Sequence, residues 1–249
     1  NQIKYIKSLQ QKKFRQMYGN FVVEGDKMAK EILTTNTLDL EGVFALESWL
    51  ENNTFLLDDI NCPFEAISQK ELERISGLKT PNQVLIIAKQ KSQNIDWNLI
   101  QNDLSLCLDN IQNPGNLGTI IRIADWFGIP NIFCVNECVE GTNPKVIQAS
   151  MGAFLRVNIH EIDFEELKNS IGNTPIYGTT MDGENIFKMD FSKDGIIVIG
   201  NEGKGISSDI LSQVSHKISI PSHSKNGSES LNASVAAGIV CATFRNFQG

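Results

Sequence analysis

From Leu104 onward one pattern repeats: a continuous apolar run of strand length, then a polar or helical stretch. The runs are Leu104–Leu108, Ile132–Val135, Phe154–Ile159, Ile176–Thr179, Ile196–Ile199 and Ile218–Ile220. Apart from Arg156 and Asn158 in the third run they lack polar alternation, so each is read as a strand buried on both faces. Such strands interleaved with helices predict a mostly parallel sheet in an α/β domain. Start signals support the helices. Asn143-Pro144 reads as a cap followed by proline at the first helical position, with Gly152 as the stop. Asp163 and Glu166 stand at capping-box spacing before Leu167 and Ile171. Leu117, Ile120, Ile121, Ala124 and Phe127 form one apolar stripe, with Thr119, Arg122 and Asp125 opposite.

Before Leu104 the elements are shorter and more mixed. A basic helix is predicted over 3–17, ending near Gly19, then an apolar run at Phe21–Val23 and a helix holding Met28, Ile32 and Leu33. Val43–Leu46 reads as a strand. Ser68 and Glu71 open a helix through Leu72 and Ile75 that stops at Gly77, and Val84–Ala88 is another strand. Lys89–Asn102 is polar and lacks a period, which predicts a linker. The expected organisation is a small α/β domain over 1–90, a linker over 91–103 and a larger α/β domain over 104–249.

The chain has 249 residues, 41% of them hydrophobic, which excludes a disordered polymer and is enough for a sizeable core. No apolar run approaches the roughly 18 residues of a membrane helix, and the polar N-terminus lacks a secretory h-region, so a cytoplasmic protein is expected. Cys62, Cys107, Cys134, Cys138 and Cys241 include one close pair but no second pair or nearby histidine. Free thiols are therefore expected rather than a metal site. The net charge of −7 argues against a generic nucleic-acid binder. Its distribution is uneven, however: Lys4, Lys7, Lys12, Lys13 and Arg15 precede the first acid, Glu24. Residue types alone favour a solvated basic helix; the sharper reading is a face that holds a polyanion.

Three glycine- and asparagine-rich segments each follow a predicted strand, where open parallel sheets place their ligands. The first runs from Asp109 to Gly118 and leads into the helix bearing Arg122. Arg122 is either a surface partner of Asp125 or a cation one turn beyond an anion-binding helix start. The tight G-x-G-x-x-G of a nicotinamide site is absent. The second is Gly200-Asn201-Glu202-Gly203-Lys204-Gly205, whose carboxylate suits a cationic or hydrogen-bond-donating ligand better than a phosphate. The third is Ile220-Pro221 and then Glu229-Ser230-Leu231-Asn232-Ala233-Ser234-Val235-Ala236. Ser230 and Asn232 read singly as helix caps. The helix beyond them is apolar or small nearly all round and is expected to be buried, against a partner subunit or within the core.

In this order and spacing, N-x-G-N-x-G-x-x-x-R-x-A, G-N-E-G-x-G and I-P with E-S-L-N-x-S-V-A, the segments resemble the three motifs of the SpoU (TrmH) family of RNA 2′-O-ribose methyltransferases, within the SPOUT superfamily. The resemblance spans roughly 104–247, and the opening segment is similar to the family's small RNA-binding α/β domain. It implies a C-terminal SPOUT domain with a deep trefoil knot. It implies S-adenosylmethionine held near Thr179, Gly200, Glu202, Gly203, Ile220 and Leu231, and a transfer centre of Asn116, Arg122, Glu202, Ser230 and Asn232. Lys12, Lys13, Arg15 and Arg122 would contact RNA. Ribosomal RNA stands ahead of transfer RNA as substrate, and a catalytically silent knotted RNA-binding protein is the remaining alternative. A homodimer through the knotted domain is implied, with no membrane and no metal. Because a guanidinium normally stays protonated in proteins, Arg122 is expected to orient phosphate and stabilise an alkoxide, ahead of a role as base. One departure stands out: the loop 222–229 is longer than usual, with Ser222 where a methionine often follows the proline.

Overall fold

The computed structural model describes residues 2–58, 60–91, 94–223 and 230–246. The chain divides into two compact units, residues 1–92 with 142–155, and residues 93–141 with 156–249.

The first unit opens with α1 (Gln2–Ser8) and α2 (Lys12–Tyr18), so the expected basic helix is two helices broken at 9–11. Gly19, in the left-handed conformation, ends α2. Next come β1 (Asn20–Glu24), α3 (Asp26–Thr35), β2 (Leu40–Ala45), α4 (Glu47–Asn52), β3 (Phe64–Ala66), α5 (Gln69–Ile75) and β4 (Val84–Lys89). The four strands form a mixed sheet in the order β1-β4-β2-β3. Alternate residues of the strands feed two cores. Phe21, Val23, Val43 and Ile86 pack with Met28 and Ile32 of α3, whereas Val22, Phe44, Leu85 and Ile87 pack with Ile6 of α1 and Leu72 and Ile75 of α5. The Ser68–Glu71 capping box forms with both of its hydrogen bonds.

In the second unit the expected linker contains a helix, α6 (Trp97–Gln101), capped by Asp96 and anchored through the buried Ile100. β5 (Leu104–Asp109), α7 (Pro114–Trp126) and β6 (Asn131–Val135) follow. The chain then leaves this unit: α8 (Pro144–Ser150), capped by Asn143, belongs to the first one, where Ile147 joins the α3 core. Residues 153–155, expected to start a strand at Phe154, form a 3₁₀ turn there instead, and Phe154 stacks edge-on against Phe21. The strand begins later, as β7 (Asn158–Glu161). α9 (Phe164–Ser170) is capped by Asp163 alone, without the reciprocal Glu166 bond. β8 (Ile176–Asn185), β9 (Gly195–Ile199), α10 (Ser208–Leu211), β10 (His216–Ser219) and α11 (Ala233–Asn246) complete the unit.

These six strands pair in parallel throughout, in the order β10-β8-β9-β5-β6-β7. Cys107, Phe133, Ile196 and Val198 pack on one face against α6, α9 and α10. α7 and α11 lie side by side and parallel: Asn116 meets Asn232 near their starts and Arg245 donates to the carbonyl of Phe127 near their ends. α11 is not buried all round. Ala237, Val240, Cys241 and Phe244 are covered, but Leu231, just before the helix, is 46% exposed and Val235 is 50% exposed. Only one side of the helix faces α7 and the sheet.

Candidate active site

β5 is where the strand order turns, with β9 on one side and β6 on the other. The crevice above such a point, at the carboxyl ends of the strands, is the usual ligand position in open parallel sheets. The loops leaving β5 and β9 bring the first two motifs together there, and the start of α11 brings the third.

Asn113 caps α7 by accepting hydrogen bonds from the N–H groups of Gly115 at 2.8 Å and Asn116 at 3.3 Å, with Pro114 pre-set for the first turn. This presents Asn116 toward the other loops. Its amide nitrogen donates to Glu202 Oε1, and its Oδ1 accepts from Asn232 Nδ2 at 3.0 Å. Ser230 Oγ donates to the Glu202 carbonyl at 3.1 Å. Asn232 also caps α11, its Oδ1 accepting from Ser234 N at 3.0 Å and Ser234 Oγ at 2.6 Å. Asn116, Glu202, Ser230 and Asn232, from three loops, thus form one continuous network.

The Glu202 loop is held from beneath. Asn201 Oδ1 accepts from the N–H groups of Gly203 and Lys204 at 3.0 and 3.1 Å, and its Nδ2 donates to the Asn110 carbonyl at 3.0 Å. Gly200 is required by close approach: a Cβ there would lie 2.3 Å from the carbonyl carbon of Gly205 and 2.4 Å from Ile206 N. Gly183 is a second such position, because a Cβ there would come within 2.5 Å of the Ile218 backbone. It sits where β8–β10 pairing jumps from Gly178 opposite Lys217 to Glu184 opposite Ile218.

Arg122 stands apart from the network. It is exposed on α7, and among the described residues it makes no hydrogen bond or ion pair. Asp125 is not its partner; that carboxylate is gripped by Arg156, with Nε and Nη2 contacts of 2.8–3.1 Å. Thr179 donates its hydroxyl to the Val198 carbonyl at 2.9 Å. Ile220 is half-buried after β10, and Leu231 stands exposed beside Ser230. In the first unit Lys12 and Lys13 are exposed. Arg15 is not: it is 1% exposed and donates from Nη1 to the Leu9 carbonyl at 2.8 Å, which removes it as an RNA contact. Residues 224–229 of the lengthened loop lie outside the described residues.

Sequence reasoning assigned no role to Asp109, Asn136, Cys138 or Ser207, which bind the bases of these loops together. Cys138 Sγ accepts from Ile111 N–H at 3.2 Å, and its thiol is lowered by the Cys134 thiol and by that amide. Burial pushes Cys107 well up. The available signal was a carboxylate, Asp109, closing an apolar strand.

The loops suit a cofactor held by backbone groups. Gly203 and Gly205 are exposed and a Cβ on Gly205 would meet nothing, so the top of the 200–205 turn is bare main chain beside the apolar Leu231. The Glu202 carboxylate complements a positively charged group better than an anion. Among the described residues no cluster of three or more His, Cys, Asp or Glu forms a metal site, and no helix is long and apolar enough to cross a membrane.

Fold and site together define an open parallel α/β domain whose three polar loops meet at its switch point. The SpoU rRNA methylase family model matches residues 103–242, and an MRM3-like substrate-binding domain model matches 1–86. A 23S rRNA (guanosine(2553)-2′-O)-methyltransferase of Bacillus subtilis is 25% identical, covering 96% of this chain and 93% of the relative. An uncharacterised tRNA/rRNA methyltransferase of Synechocystis is 27% identical over 99% of this chain and 91% of the relative. The structure of a TrmH-family protein from Porphyromonas gingivalis superposes with a TM-score of 0.88 at 29% identity, covering 99% of this chain and 97% of the other. The chain belongs to the SpoU rRNA methylase family. It is an RNA methyltransferase.

Proposed function

We propose that the protein methylates a ribose 2′-hydroxyl of ribosomal RNA. The observation that carries this reading is the Ser230–Glu202–Asn116–Asn232 network, built from three loops, with Arg122 exposed on the helix that bears Asn116 and, among the described residues, without a hydrogen bond or ion pair. The Bacillus relative, named for 2′-O-methylation of 23S rRNA, supports ribosomal over transfer RNA. S-adenosylmethionine, when bound, would supply an electrophilic methyl group carried on its positively charged sulfonium sulfur and would leave as a neutral thioether.

The chain's own residues then divide the work. The main chain of 200–205, with Ile220 and Leu231, would hold the cofactor, and Thr179 would border it. Glu202, held by Asn116, would offer its carboxylate to a positively charged cofactor. Asn116, Ser230 and Asn232 fix the ribose by hydrogen bonds. Arg122, a guanidinium cation, attracts the phosphate next to the target and stabilises the alkoxide that develops as the hydroxyl attacks and its proton leaves to solvent water. Its lack of a protein partner leaves that charge available. Lys12 and Lys13 contribute phosphate contacts. The trefoil knot of the C-terminal domain and a cytoplasmic location belong to the same proposal. So does a homodimer: the α7–α11 pair exposes Trp126 at 85%, with Val235 and Leu231, and a second copy would cover them.

The test is transfer of labelled methyl from S-adenosylmethionine to ribosomal RNA and subunits from cells lacking this gene, with ribose-methylation mapping. The wild-type chain and Arg122→Ala run in parallel. One new 2′-O-methyl site, absent with the variant, is expected. Incorporation only into transfer RNA would move the substrate. Cofactor binding without any transfer would favour the silent RNA-binding alternative.

A further inference from the structure

Asp109 closes β5 with a carboxylate that is 1% exposed, out of reach of any RNA. Both of its oxygens are engaged by donors from different loops. Oδ2 accepts from the Ser207 N–H at 2.6 Å, and Oδ1 accepts from Asn136 Nδ2 at 2.6 Å. Ser207 ends the segment that carries Glu202, and Asn136 begins the turn after β6. The next residue, Asn110, takes a left-handed φ of 58° and receives Asn201 on its carbonyl at 3.0 Å. The distance between the first two motifs is therefore set at their bases, by Asp109 and Asn110, as well as at their tips, by Asn116 and Glu202.

We infer that Asp109 is a positioning residue for methyl transfer: by bracketing Ser207 and Asn136 it holds the Glu202 loop against the Asn116 loop and so shapes the cofactor cradle. The chemistry requires an acceptor on each oxygen. An amide in its place turns one acceptor into a donor that faces a donor, which a buried site does not tolerate. The bond with Asn136 can be inverted, because exchanging acid and amide between the two positions restores one donor and one acceptor. Asn136 has a φ of 56°, a conformation that aspartate also adopts. The Ser207 bond can be removed separately, since Ser207 has φ −59° and ψ 147° and its side chain makes no cap hydrogen bond. Proline fits that φ and lacks only the donor.

The inference rests on the methyltransferase reading, so its test is read first on S-adenosylmethionine affinity by calorimetry and then on kcat and RNA KM. Asp109→Asn is expected to weaken S-adenosylmethionine binding about tenfold or more and to lower kcat, with RNA KM within about twofold. Asn136→Asp alone sets two carboxylates face to face and gives the same direction of change. The Asp109→Asn/Asn136→Asp double variant is expected to recover cofactor affinity to within about threefold of wild type. Ser207→Pro gives a smaller loss with the fold intact by circular dichroism, and decides the matter if Asp109→Asn does not fold. Wild-type affinity and kcat in folded Asp109→Asn or Ser207→Pro would overturn the inference, as would a folded double variant without recovery. Cofactor binding by wild type without methyl transfer to RNA would sink the substrate reading while leaving the affinity cycle decisive; no cofactor binding by wild type would overturn both.

Discussion

The two units use the same residue types to opposite ends, as Arg15 and Arg122 show. Arg15, on a helix flanked by lysines, is buried and its guanidinium is taken up by the Leu9 carbonyl six residues away. Arg122, on a helix with an acid one turn on, is exposed and, among the described residues, makes no hydrogen bond or ion pair, while Arg156 has claimed that acid. In the first unit polar groups mostly close local structure, as in the Ser68–Glu71 box and the Asn53–Trp49 bond. In the second they join loops 86 and 116 residues apart. The lesson concerns leftover charge. A site needs a cation that the fold itself has not satisfied; among the described residues Arg122 makes no hydrogen bond or ion pair, whereas Arg15 does.

Arg122→Ala should break this contrast most severely. Methyl transfer is expected to fall by about 10²- to 10³-fold, the scale of losing one preorganised electrostatic group. Cofactor affinity and thermal stability should stay near wild type, as calorimetry and thermal unfolding will show. Gly200→Ala comes next. Its Cβ would strike the 205–206 backbone, so loss of cofactor binding and a cost of about 1–3 kcal/mol in denaturant unfolding are expected. Arg15→Ala should behave in the reverse way to Arg122→Ala. It should cost about 1.5–3 kcal/mol of stability, read by thermal unfolding, with cofactor affinity unchanged.

Lys13→Ala separates surface charge from buried charge. RNA binding should weaken uniformly, and the slope of log K against log salt should shrink by about one unit, with stability unaffected. The smallest effect is a pH dependence in the first unit. Asp26 Oδ1 accepts from Trp49 Nε1 at 2.6 Å, which holds that carboxyl below its ordinary value of 3.8. A lowered native value means the unfolded chain binds the extra proton first. The stabilisation is therefore present above that ordinary value and is lost as pH falls through the native one. Asp26→Asn should flatten this acid limb in unfolding curves, and an unchanged limb would remove Asp26 from the account.

Much of the second unit was legible in advance because a strand buried on both faces writes an unbroken apolar run, a property of neighbouring residues. Five of the six runs correspond to strands. The sixth was half wrong: Phe154 is apolar because it packs on Phe21, and nothing in its own neighbourhood tells that apart from a strand. The helix in 97–101 was missed since a single buried residue, Ile100, makes no period. Arg15 was misread because a cation's burial depends on what covers it. Of the candidate centre, Asn116, Glu202, Ser230 and Asn232 were named from motif order, yet their hydrogen bonds could not be. Asp109 was present in the first motif without a role.

The sequence by itself determined most of the local elements, the helix caps at Asn143 and Ser68, and the residue types offered by each loop, since these follow from spacing over a few residues. Tertiary structure alone decided which loops meet, which arginine stays free, that residues 142–155 join the first unit, and that Asp109 binds two loops at once. Those outcomes depend on strand order and on competition between distant partners, as when Arg156 rather than Arg122 takes Asp125, and no local pattern encodes either.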